Sequence, residues 1–435
     1  MFTPEDLGSG LYASKGPFRN NMQRSKRCVS DLALFGGSAA FCEPIYTGTP
    51  NIPNKNRFSE RVDAALTRRQ LSNKGPFVTE LEAKIAHLLR VKHCVATCNG
   101  TIALEIAIRA LELRGEVIVP SFTFIATAHA LQWLGVTPVF ADVDGVTHNL
   151  DPSHIAGMIT PRTAGIIGVH LWGRPCDVEG LAQLADCHEI PILFDAAHAF
   201  ACSSKGRMIG NFGSLEVFSF HATKFFHTFE GGAITTGDDD LANRLRALQN
   251  FGLAAPDKVL AVGTNGKMNE ICAAMGLTCL EELDQFVAAN YCNYKRYQRA
   301  MEDVPGIRLL AFDEHERCNY QYIVIEIDEE ITRINRDEIL LVLQLEKIIA
   351  KRYFHPGCHR TEPYRSLPSS GHIVLPQTEM LARRVLVLPN GTAVAPNDID
   401  CICDIIRFTT VHGEKIRERL ACWTDHSLPC DAQNR

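Results

Sequence analysis

The stretch FSFHATKFFHTFEGGAITT, from Phe218 to Thr236, holds a single lysine, Lys224, in an almost wholly apolar run just ahead of a pair of glycines. A buried lysine is unfavourable unless a partner neutralises it or a reaction uses it. On either side, LEVFSF and GGAITT are short apolar runs with the length and composition of strands. The stretch therefore predicts two strands of a sheet, with the lysine on the connection between them.

The chain before this stretch alternates short apolar runs with helical patterns. The runs are HCVAT, EVIVP, TPVFAD, AGIIGVH and PILFD, and the segments between them carry apolar residues at the spacing of a helix. This repeated strand–helix–strand order is typical of a mostly parallel sheet with helices on both faces. We expect this α/β unit to form a large domain over residues 57–252.

The flanking regions do not follow this rhythm. Residues 1–56 begin with little periodicity and predict an N-terminal arm or extension. After Gly252, the pattern predicts one long helix from about Asn269 to Arg299. The strands QYIVIEID and RVLVLP and the helix RDEILLVLQLEK follow it. We therefore expect residues 253–435 to form a long linking helix and a small C-terminal domain.

The composition is that of a globular protein and excludes several classes of function. The 435 residues are 46% hydrophobic and 22% charged, and the net charge of −6 does not favour binding to nucleic acid. No apolar run reaches ~18 residues, the length that a membrane-spanning helix requires. The 16 cysteines are scattered without the spacing of a zinc site. They predict reduced thiols, no metal centre and a cytoplasmic protein.

Candidate ligand-binding residues follow the predicted strands, because an open parallel sheet binds ligands at the carboxyl ends of its strands. Asn99, Gly100 and Thr101 lie where HCVAT gives way to a helix, and the free N–H groups at a helix start bind anions. Gly100 would let the backbone approach a ligand closely. The alternative is an ordinary helix cap formed by Asn99 or Thr101.

Three further strands end in residues of distinct chemistry. Phe124 follows EVIVP and is a candidate to stack on a flat ring, although core packing is the commoner role of phenylalanine. Asp195 ends the run PILFD, His198 follows it, and LEVFSF leads through Ser219 to Lys224. A desolvated lysine has a lowered pKa and a nucleophilic amine, which suits a Schiff base with an aldehyde. The alternative is a buried ion pair between Lys224 and Asp195.

These four kinds of group together match the requirements of pyridoxal 5'-phosphate (PLP). In this interpretation the phosphate lies at the helix start near Gly100, and the ring stacks on Phe124. Lys224 holds the aldehyde, and Asp195 keeps the pyridine nitrogen protonated so that the ring can accept electrons. We therefore expect PLP as the cofactor.

At these residues the sequence resembles the DegT/StrS family of PLP-dependent nucleotide-sugar aminotransferases. The resemblance covers roughly residues 50–396 and rests on GPFVTELEAKIA, CNGTIALEIAIRAL, VIVPSFTFIATAHAL, VHLWGRPCD, FDAAHAF, FSFHATKFFHTFEGGA and GTNGKMNEICAAMGL. It implies the fold of aspartate aminotransferase, the type I fold of PLP-dependent transferases. That fold has a mostly parallel central sheet in a large PLP-binding domain and a smaller C-terminal α/β domain.

The resemblance also implies a role for each site residue. Lys224 resembles the Schiff-base lysine that also shuttles the proton, and Asp195 resembles the partner of the pyridine nitrogen. Phe124 matches the ring-stacking aromatic, and His198 occupies the position of a glutamine near the ring hydroxyl. The implied phosphate ligands are the start of the helix at Gly100, the amides of Thr101 and Ile102, the hydroxyl of Ser219, and Asn265 from a neighbouring subunit. The last of these implies a homodimer with shared active sites.

Within the family, the sequence most resembles 4-aminotransferases that act on dTDP-4-keto-6-deoxy-D-glucose. The presence of Lys224 argues against those relatives that carry histidine there and act as dehydratases. His227 stands where this subgroup has asparagine. The resemblance implies transfer of an amino group from glutamate to C4 of the keto-sugar nucleotide. The alternatives are a 3-aminotransferase acting on a 3-keto isomer and a non-catalytic PLP-binding sensor.

The segment AKRYFHPGCHR, residues 350–360, is a candidate site for the nucleotide. An anionic sugar nucleotide needs basic or hydrogen-bonding groups outside the cofactor pocket. The segment supplies basic side chains beside two aromatic rings that could stack on thymine: Lys351, Arg352, His355, His359 and Arg360, with Tyr353 and Phe354. The alternative is a solvated basic loop.

Overall fold

The computed structural model describes residues 26–255, 257–366 and 373–424. The first 25 residues of the predicted arm and the end of the predicted C-terminal domain, residues 425–435, lie outside the described residues. The helices are α1 (Lys55–Arg68), α2 (Pro76–Leu89), α3 (Gly100–Ala110), α4 (Ile125–Trp133), α5 (Pro152–Ala156), α6 (Val178–Cys187), α7 (Asp239–Leu248), α8 (Glu270–Glu281), α9 (Leu283–Met301), α10 (Glu329–Thr332), α11 (Arg336–Leu345), α12 (Pro376–Arg384), α13 (Pro396–Val411) and α14 (Gly413–Thr424). The strands are β1 (Ile45–Tyr46), β2 (His93–Thr97), β3 (Glu116–Pro120), β4 (Thr137–Ala141), β5 (Thr163–Val169), β6 (Ile192–Asp195), β7 (Ser203–Ser204), β8 (Arg207–Met208), β9 (Leu215–Ser219), β10 (Gly232–Thr236), β11 (Leu253–Ala255), β12 (Lys258–Val259), β13 (Ile307–Leu309), β14 (Ile323–Ile327), β15 (Ile348–Ile349) and β16 (Val385–Leu388).

A seven-stranded sheet forms the centre of the chain, in the order β2–β10–β9–β6–β5–β3–β4. Neighbouring strands of this sheet are parallel, except that β10 runs antiparallel to both β9 and β2. The predicted runs HCVAT and EVIVP coincide with β2 and β3, and the two strands predicted around Lys224 are β9 and β10. The predicted α/β fold with a mostly parallel central sheet is therefore confirmed.

Successive residues of each strand face two different helical layers. Val95 of β2 packs in a core with α3, α4 and α7. Its neighbours Cys94 and Ala96 pack on the opposite face with α2 and α8. Adjacent side chains of a strand point to opposite faces, and here both faces are buried. This burial explains why the strands are continuous apolar runs with no polar alternation.

A three-stranded antiparallel sheet, β13–β14–β16, forms the second, smaller unit. Helices α9, α11, α13 and α14 pack around it, and its core also takes in Leu32, Leu34 and Phe41 from the N-terminal arm. Strand β1 continues this attachment by pairing in parallel with β15. The division into residues 1–56, 57–252 and 253–435 stays a prediction, and the apolar core of the small unit crosses its first boundary.

The single long helix predicted from Asn269 to Arg299 is wrong. The structure has two helices, α8 and α9, which are separated at Glu282, whose backbone leaves the helical region at φ −115° and ψ 12°. Helix α8 and the first turn of α9 pack against the large sheet, whereas the rest of α9 packs in the small unit. The break turns the chain from one core to the other, and no glycine or proline marks it in the sequence.

A buried carboxylate holds the N-terminal arm on the small unit. Glu346 is fully buried, and its two oxygens accept the backbone N–H groups of Ala33 and Ala40, both at 2.7 Å. The ammonium group of Lys26 lies 2.8 Å from the same carboxylate and donates to the carbonyl oxygens of Asp31 and Ser38. Because two N–H groups and a buried cation share one acceptor, Glu346 fixes the path of the arm.

Replacing Glu346 with alanine should therefore destabilise the folded apo-protein strongly. The variant leaves the buried Lys26 cation without a counter-charge and two N–H groups without an acceptor, so we expect the free energy of unfolding to fall by about 3–5 kcal/mol. Urea denaturation measures the loss. Glu302→Ala, which removes an exposed carboxylate, is the control and should behave as the wild type. Equal stability of the two variants would show that the arm does not depend on Glu346.

Candidate active site

The carboxyl ends of β2, β6 and β9 open onto a cavity of about 510 Å³. The small unit closes it with Tyr322, Tyr353 and Phe354, and the N-terminal arm contributes Thr47 and Asn51. Most of the predicted site residues line this cavity: Gly100, Thr101, Phe124, Asp195, His198, Ser219 and Lys224. The remaining two, Ile102 and Asn265, do not line it.

The start of α3 forms an anion cradle with the end of β9. A Cβ atom added to Gly100 would lie 2.9 Å from the Cβ of Ser219, so only glycine lets the helix begin this close to the strand. In the part of the chain that the structure describes, the N–H groups of Gly100 and Thr101 have no acceptor. The N–H of Ile102 does have one, because it donates to Asn99 Oδ1 at 2.8 Å. The free donors of the cradle are therefore those of Gly100 and Thr101, and the amide of Ile102 is engaged in the helix cap.

The glycine pair after Lys224 is required by packing. An added Cβ on Gly232 would lie 2.8 Å from the carbonyl oxygens of Asn99 and Phe218, and one on Gly231 would overlap the hydroxyl of Thr228. Glycine thus lets β10 enter between β2 and β9 directly beside the anion cradle. The two glycines bring the three strands together at the edge where Lys224 lies.

Lys224 lies half-buried on the turn after β9, and its Nζ donates a hydrogen bond to Tyr322 Oη at 2.9 Å. Burial lowers the pKa of the Lys224 ammonium group from 10.5 to about 8, and the charge of Asp195 opposes this change. The free amine is thus accessible close to neutral pH. An amine of this kind can act as a nucleophile and as a base.

Asp195, at the end of β6, is buried and does not form the alternative ion pair with Lys224. Its Oδ2 accepts from the hydroxyl of Thr127 at 2.8 Å, and its Oδ1 accepts from the N–H of Ala197 at 3.1 Å. Burial raises the pKa of the Asp195 carboxyl, whereas these two bonds and the charge of Lys224 lower it. A cation bound against Asp195 in the cavity would favour the carboxylate further.

His198 presents a single tautomer to the cavity. The backbone N–H of Trp172 donates to His198 Nδ1 at 3.3 Å, and an N–H group can only donate. Burial lowers the pKa of His198 well below its ordinary value, and the charge of Lys224 adds to this effect. The ring is therefore neutral, with its proton on Nε2. It supplies an N–H donor to the cavity, as the NH2 group of a glutamine at this position also could.

A chain of hydrogen bonds holds the indole of Trp172, which stacks on His198 at a centroid distance of 5.7 Å. Trp172 Nε1 donates to His148 Nδ1 at 3.1 Å, and His148 Nε2 lies 3.0 Å from Glu326 Oε1 on β14. Arg308 of β13 also binds Glu326. This chain connects the wall of the cavity with the sheet of the small unit.

The aromatic side chains that line the cavity include Phe124, Tyr353 and Phe354. The ring of Phe124 is 56% exposed, which is unusual for phenylalanine and leaves a face open for stacking. Phe354 lies 6.5 Å from it, and Tyr353 stacks on Phe354 at 5.1 Å. The aromatic part of the segment 350–360 is thus available to a ligand.

None of the five basic side chains of that segment lines the cavity, so they do not form the predicted nucleotide site there. Arg352 pairs with Asp337 at 3.1 Å, and Arg360 pairs with Glu379 at 2.6 Å. His359 is buried, 2.6 Å from the hydroxyl of Ser121. These groups neutralise carboxylates of neighbouring helices and do not line the cavity.

His227 and Asn265, both singled out in the sequence, lie outside the cavity for different reasons. His227 is buried, with Nε2 2.7 Å from the carbonyl oxygen of Asn51 and Nδ1 accepting from the N–H of Phe229. It fixes the turn after Lys224 and does not touch the cavity. Asn265 is exposed and bridges Asn250 beyond the hairpin β11–β12, so this chain alone does not bring it to the site.

Sequence reasoning missed three residues that shape the site: Tyr322, Thr127 and Trp172. Thr127 lies within the motif VIVPSFTFIATAHAL, and Trp172 lies within VHLWGRPCD. Nothing in their spacing reveals that Thr127 bonds Asp195 and that Trp172 bonds His198. Tyr322 starts an apolar strand and looks like a core residue. Only the packing of the small unit on the large one reveals its contact with Lys224.

These features fit PLP. The cradle at Gly100, Thr101 and Ser219 has the donors and the close approach that a phosphate needs. The exposed face of Phe124 suits a flat ring, the buried Asp195 suits a cationic ring nitrogen, and the amine of Lys224 suits an aldehyde.

Comparison with known proteins agrees with this geometry. Residues 53–407 match the model of the DegT/DnrJ/EryC1/StrS aminotransferase family. The dTDP-4-amino-4,6-dideoxy-D-glucose transaminase of Shigella dysenteriae is 34% identical over 366 residues, 84% of this chain and 99% of that protein. The GDP-perosamine synthase of Caulobacter vibrioides is 34% identical over 340 residues, 76% of this chain and 89% of that protein. The crystal structure of DesI, determined in the presence of its TDP-sugar product, has a TM-score of 0.87 and 49% identity and covers 91% of this chain and 100% of that chain.

The fold and the cavity thus define a PLP-dependent aminotransferase. The chain belongs to the DegT/DnrJ/EryC1/StrS aminotransferase family, and it is an aminotransferase of nucleotide sugars. The predicted family and cofactor are confirmed.

Two further features of the described residues bear on the class of protein. No helix in these ranges is both long and apolar enough to cross a membrane. Within the same ranges, no three histidine, cysteine, aspartate or glutamate residues are grouped so that they could hold a metal ion.

The lowered pKa of Lys224 predicts a stability effect that depends on pH. The unfolded chain keeps its lysine proton up to about pH 10.5, whereas the folded apo-protein loses it near pH 8. Between these values the unfolded state binds more protons, so the stability of the wild type rises with pH. Relative to Lys224→Met, we expect the wild type to gain on the order of 2 kcal/mol between pH 7 and pH 10.

Urea denaturation of the two apo-proteins at several pH values measures this gain. Lys55→Met, which removes an exposed lysine at the start of α1, should show no change with pH relative to the wild type. A constant difference between the wild type and Lys224→Met across this range would mean that the Lys224 amine titrates as it does in water.

Proposed function

We propose that this protein transfers the amino group of glutamate to C4 of dTDP-4-keto-6-deoxy-D-glucose, with Lys224 as the catalytic base. The observation that carries the proposal is the half-buried Lys224 amine, which shares a cavity with the Asp195 carboxylate and with the anion cradle at Gly100 and Ser219. The choice of sugar and of C4 is supported by similarity to the dTDP-4-amino-4,6-dideoxy-D-glucose transaminase of Shigella dysenteriae, and the choice of a TDP-linked sugar also by similarity to DesI. The GDP-perosamine synthases among the relatives make the nucleotide an open part of the test.

Each of these cavity side chains has a separate role in the proposed reaction. Bound PLP supplies the electron sink next to the carbon that gains or loses the amino group. Lys224 Nζ takes the proton from one carbon and returns it to another, a task that suits an amine whose pKa lies near 8. Asp195 would supply a negative charge to the ring nitrogen, Phe124 would stack on the ring, and His198 would offer its Nε2 proton as a fixed donor.

The rest of the cavity suits a sugar better than an amino acid alone. Its lining also includes uncharged amides and hydroxyl groups, among them Thr47, Gln321 and Asn390. Such groups bind sugar hydroxyls by hydrogen bonds and do not repel a neutral ring. Tyr353, which is partly exposed, lines the cavity and offers an aromatic ring to a nucleotide base, with the buried Phe354 stacked against it.

Incubation with the dTDP-linked 4-keto sugar, L-glutamate and PLP should give the dTDP-linked 4-amino-4,6-dideoxy-D-glucose and 2-oxoglutarate. The panel should include a GDP-linked 4-keto-6-deoxy sugar and a dTDP-linked 3-keto isomer, with NMR to locate the new amine. Lys224→Ala is the control and should be inactive on every substrate. Turnover of the 3-keto isomer alone would make the protein a 3-aminotransferase. A spectral response to glutamate without any sugar product would make it a sensor.

The active site also requires a second copy of the chain. Both substrates and the cofactor are anions, yet Lys224 is the one lysine among the described residues that line the cavity, and no arginine is among them. Beyond the cavity, Phe251, Val259, Leu260 and Val262 expose 52–77% of their surface around the hairpin β11–β12, just before Asn265. Exposed apolar side chains gathered on one segment are typical of an interface. They support a homodimer in which Asn265 reaches the partner's phosphate site.

Mixing two inactive variants tests the shared site. Lys224→Ala and Asn265→Ala should each lose activity, and subunit exchange should form heterodimers with one intact site. Random exchange of equal amounts should restore about a quarter of the wild-type activity, because half of the dimers then carry one complete site of two. Exchange demonstrated by mass spectrometry without any recovery would place Asn265 in the site of its own chain or outside both sites.

A further inference from the structure

The hydrogen-bond partner of Lys224, Tyr322, belongs to the other unit of the chain. Tyr322 lies at the start of β14 in the small unit, whereas Lys224 lies on the turn after β9 in the large unit. Tyr322 Oη accepts from Lys224 Nζ at 2.9 Å, and within the described ranges this is the one hydrogen bond of that hydroxyl. The catalytic amine is therefore held across the boundary between the two units.

The phenol ring is fixed in place by its neighbours. Tyr322 is 6% exposed, its ring lies 4.2 Å from the ring of His198, and Trp172 packs against it edge-on at 5.6 Å. Burial raises the pKa of Tyr322 well above its ordinary value, so the phenol stays neutral. A neutral hydroxyl in a fixed position can accept from an ammonium group or from an amine without changing its own charge.

We propose that Tyr322 is a positioning residue for the reaction, whose hydroxyl holds Lys224 Nζ at the cavity while the lysine takes up and releases the substrate proton. This role rests on the proposed function of Lys224. In the step itself the C–H bond breaks, its electron pair stays with the substrate, and its proton moves to the lone pair of Nζ. The reverse step returns that proton to carbon. Tyr322 keeps its own proton throughout and accepts one N–H bond from Nζ.

The competing explanation is that Tyr322 only packs against His198 and Trp172. The two explanations differ in what the hydroxyl does, and Tyr322→Phe separates them because it keeps the ring and removes only the oxygen. The titratable groups that face Lys224 are Asp195, His198 and Tyr322 itself. Loss of the acceptor removes a bond that favours the ammonium form, so the amine of the variant should lose its proton at lower pH.

The first measurement uses the apo-protein and needs no activity. The rate at which acetic anhydride modifies Lys224, followed by peptide mass spectrometry across a range of pH, reports the titration of this amine. Lys55 in the same sample is the internal reference for a solvated lysine. We expect the midpoint for Lys224 to fall in Tyr322→Phe and to stay in place in Tyr353→Phe, which removes another phenol from the same cavity.

The second measurement uses the PLP-loaded enzyme with glutamate and the accepted sugar nucleotide. Because a hydrogen bond to a charged group is lost, kcat should fall about 10- to 100-fold in Tyr322→Phe. KM for the sugar nucleotide should stay within about twofold, since the ring that shapes the cavity remains. Deuterium at the α-carbon of glutamate should slow the variant more than the wild type, because proton transfer becomes the slower step.

An unchanged titration midpoint for Lys224 in Tyr322→Phe overturns the proposal, whatever happens to the rate. A shifted midpoint with unchanged kcat and isotope effect also overturns it, because the bond would then have no part in the reaction. Failure of the proposed function is a separate result. Activity that survives in Lys224→Ala removes the lysine as the base, and inactivity on every sugar nucleotide removes the substrate class, while the apo-protein titration is untouched by either.

Discussion

The site depends on one constraint, which is that the amine of Lys224 must be kept from water without being paired to a carboxylate. A direct ion pair with Asp195 would hold the lysine as a fixed cation and raise its pKa. The structure instead occupies Asp195 with Thr127 and the N–H of Ala197, and it gives Lys224 a neutral hydroxyl as its partner. The amine therefore keeps a pKa of about 8, while the carboxylate of Asp195 remains available to a cationic group of a ligand in the cavity.

The large sheet alone cannot meet this constraint. Its strands deliver Asp195, Ser219 and Lys224 to one edge, but an open edge would leave the amine in water. The small unit supplies Tyr322 and the aromatic pair at the mouth, and the N-terminal arm supplies Thr47 and Asn51. The buried Glu346 that holds the arm is thus part of what closes the site, although it lies in the core of the small unit.

The sequence predicts the local parts of this structure well and the contacts between distant segments poorly. Strand patterns identify β2, β3, β9 and β10, and the residues after strands can be collected at one edge because parallel strands share their direction. Patterns cannot show that α8 and α9 part at Glu282, since no helix-breaking residue stands there and the break follows from two competing cores. In the same way, the segment 350–360 reads as a basic ligand site, and only the positions of Asp337 and Glu379 show that its arginines are neutralised by neighbouring helices.

The position of the proton on His198 depends on charged side chains that lie outside the cavity. Burial raises the pKa of Glu326, but the bonds from His148 and Arg308 lower it below its ordinary value, so this carboxylate is ionised. An ionised Glu326 accepts the proton on His148 Nε2, which leaves Nδ1 free to accept from Trp172 Nε1. These bonds hold the indole of Trp172 in place. The backbone N–H of the same residue donates to His198 Nδ1. With that nitrogen occupied, the proton of a neutral His198 must be on Nε2. The small unit therefore fixes both partners that face the cofactor position, Lys224 through Tyr322 and His198 through Trp172.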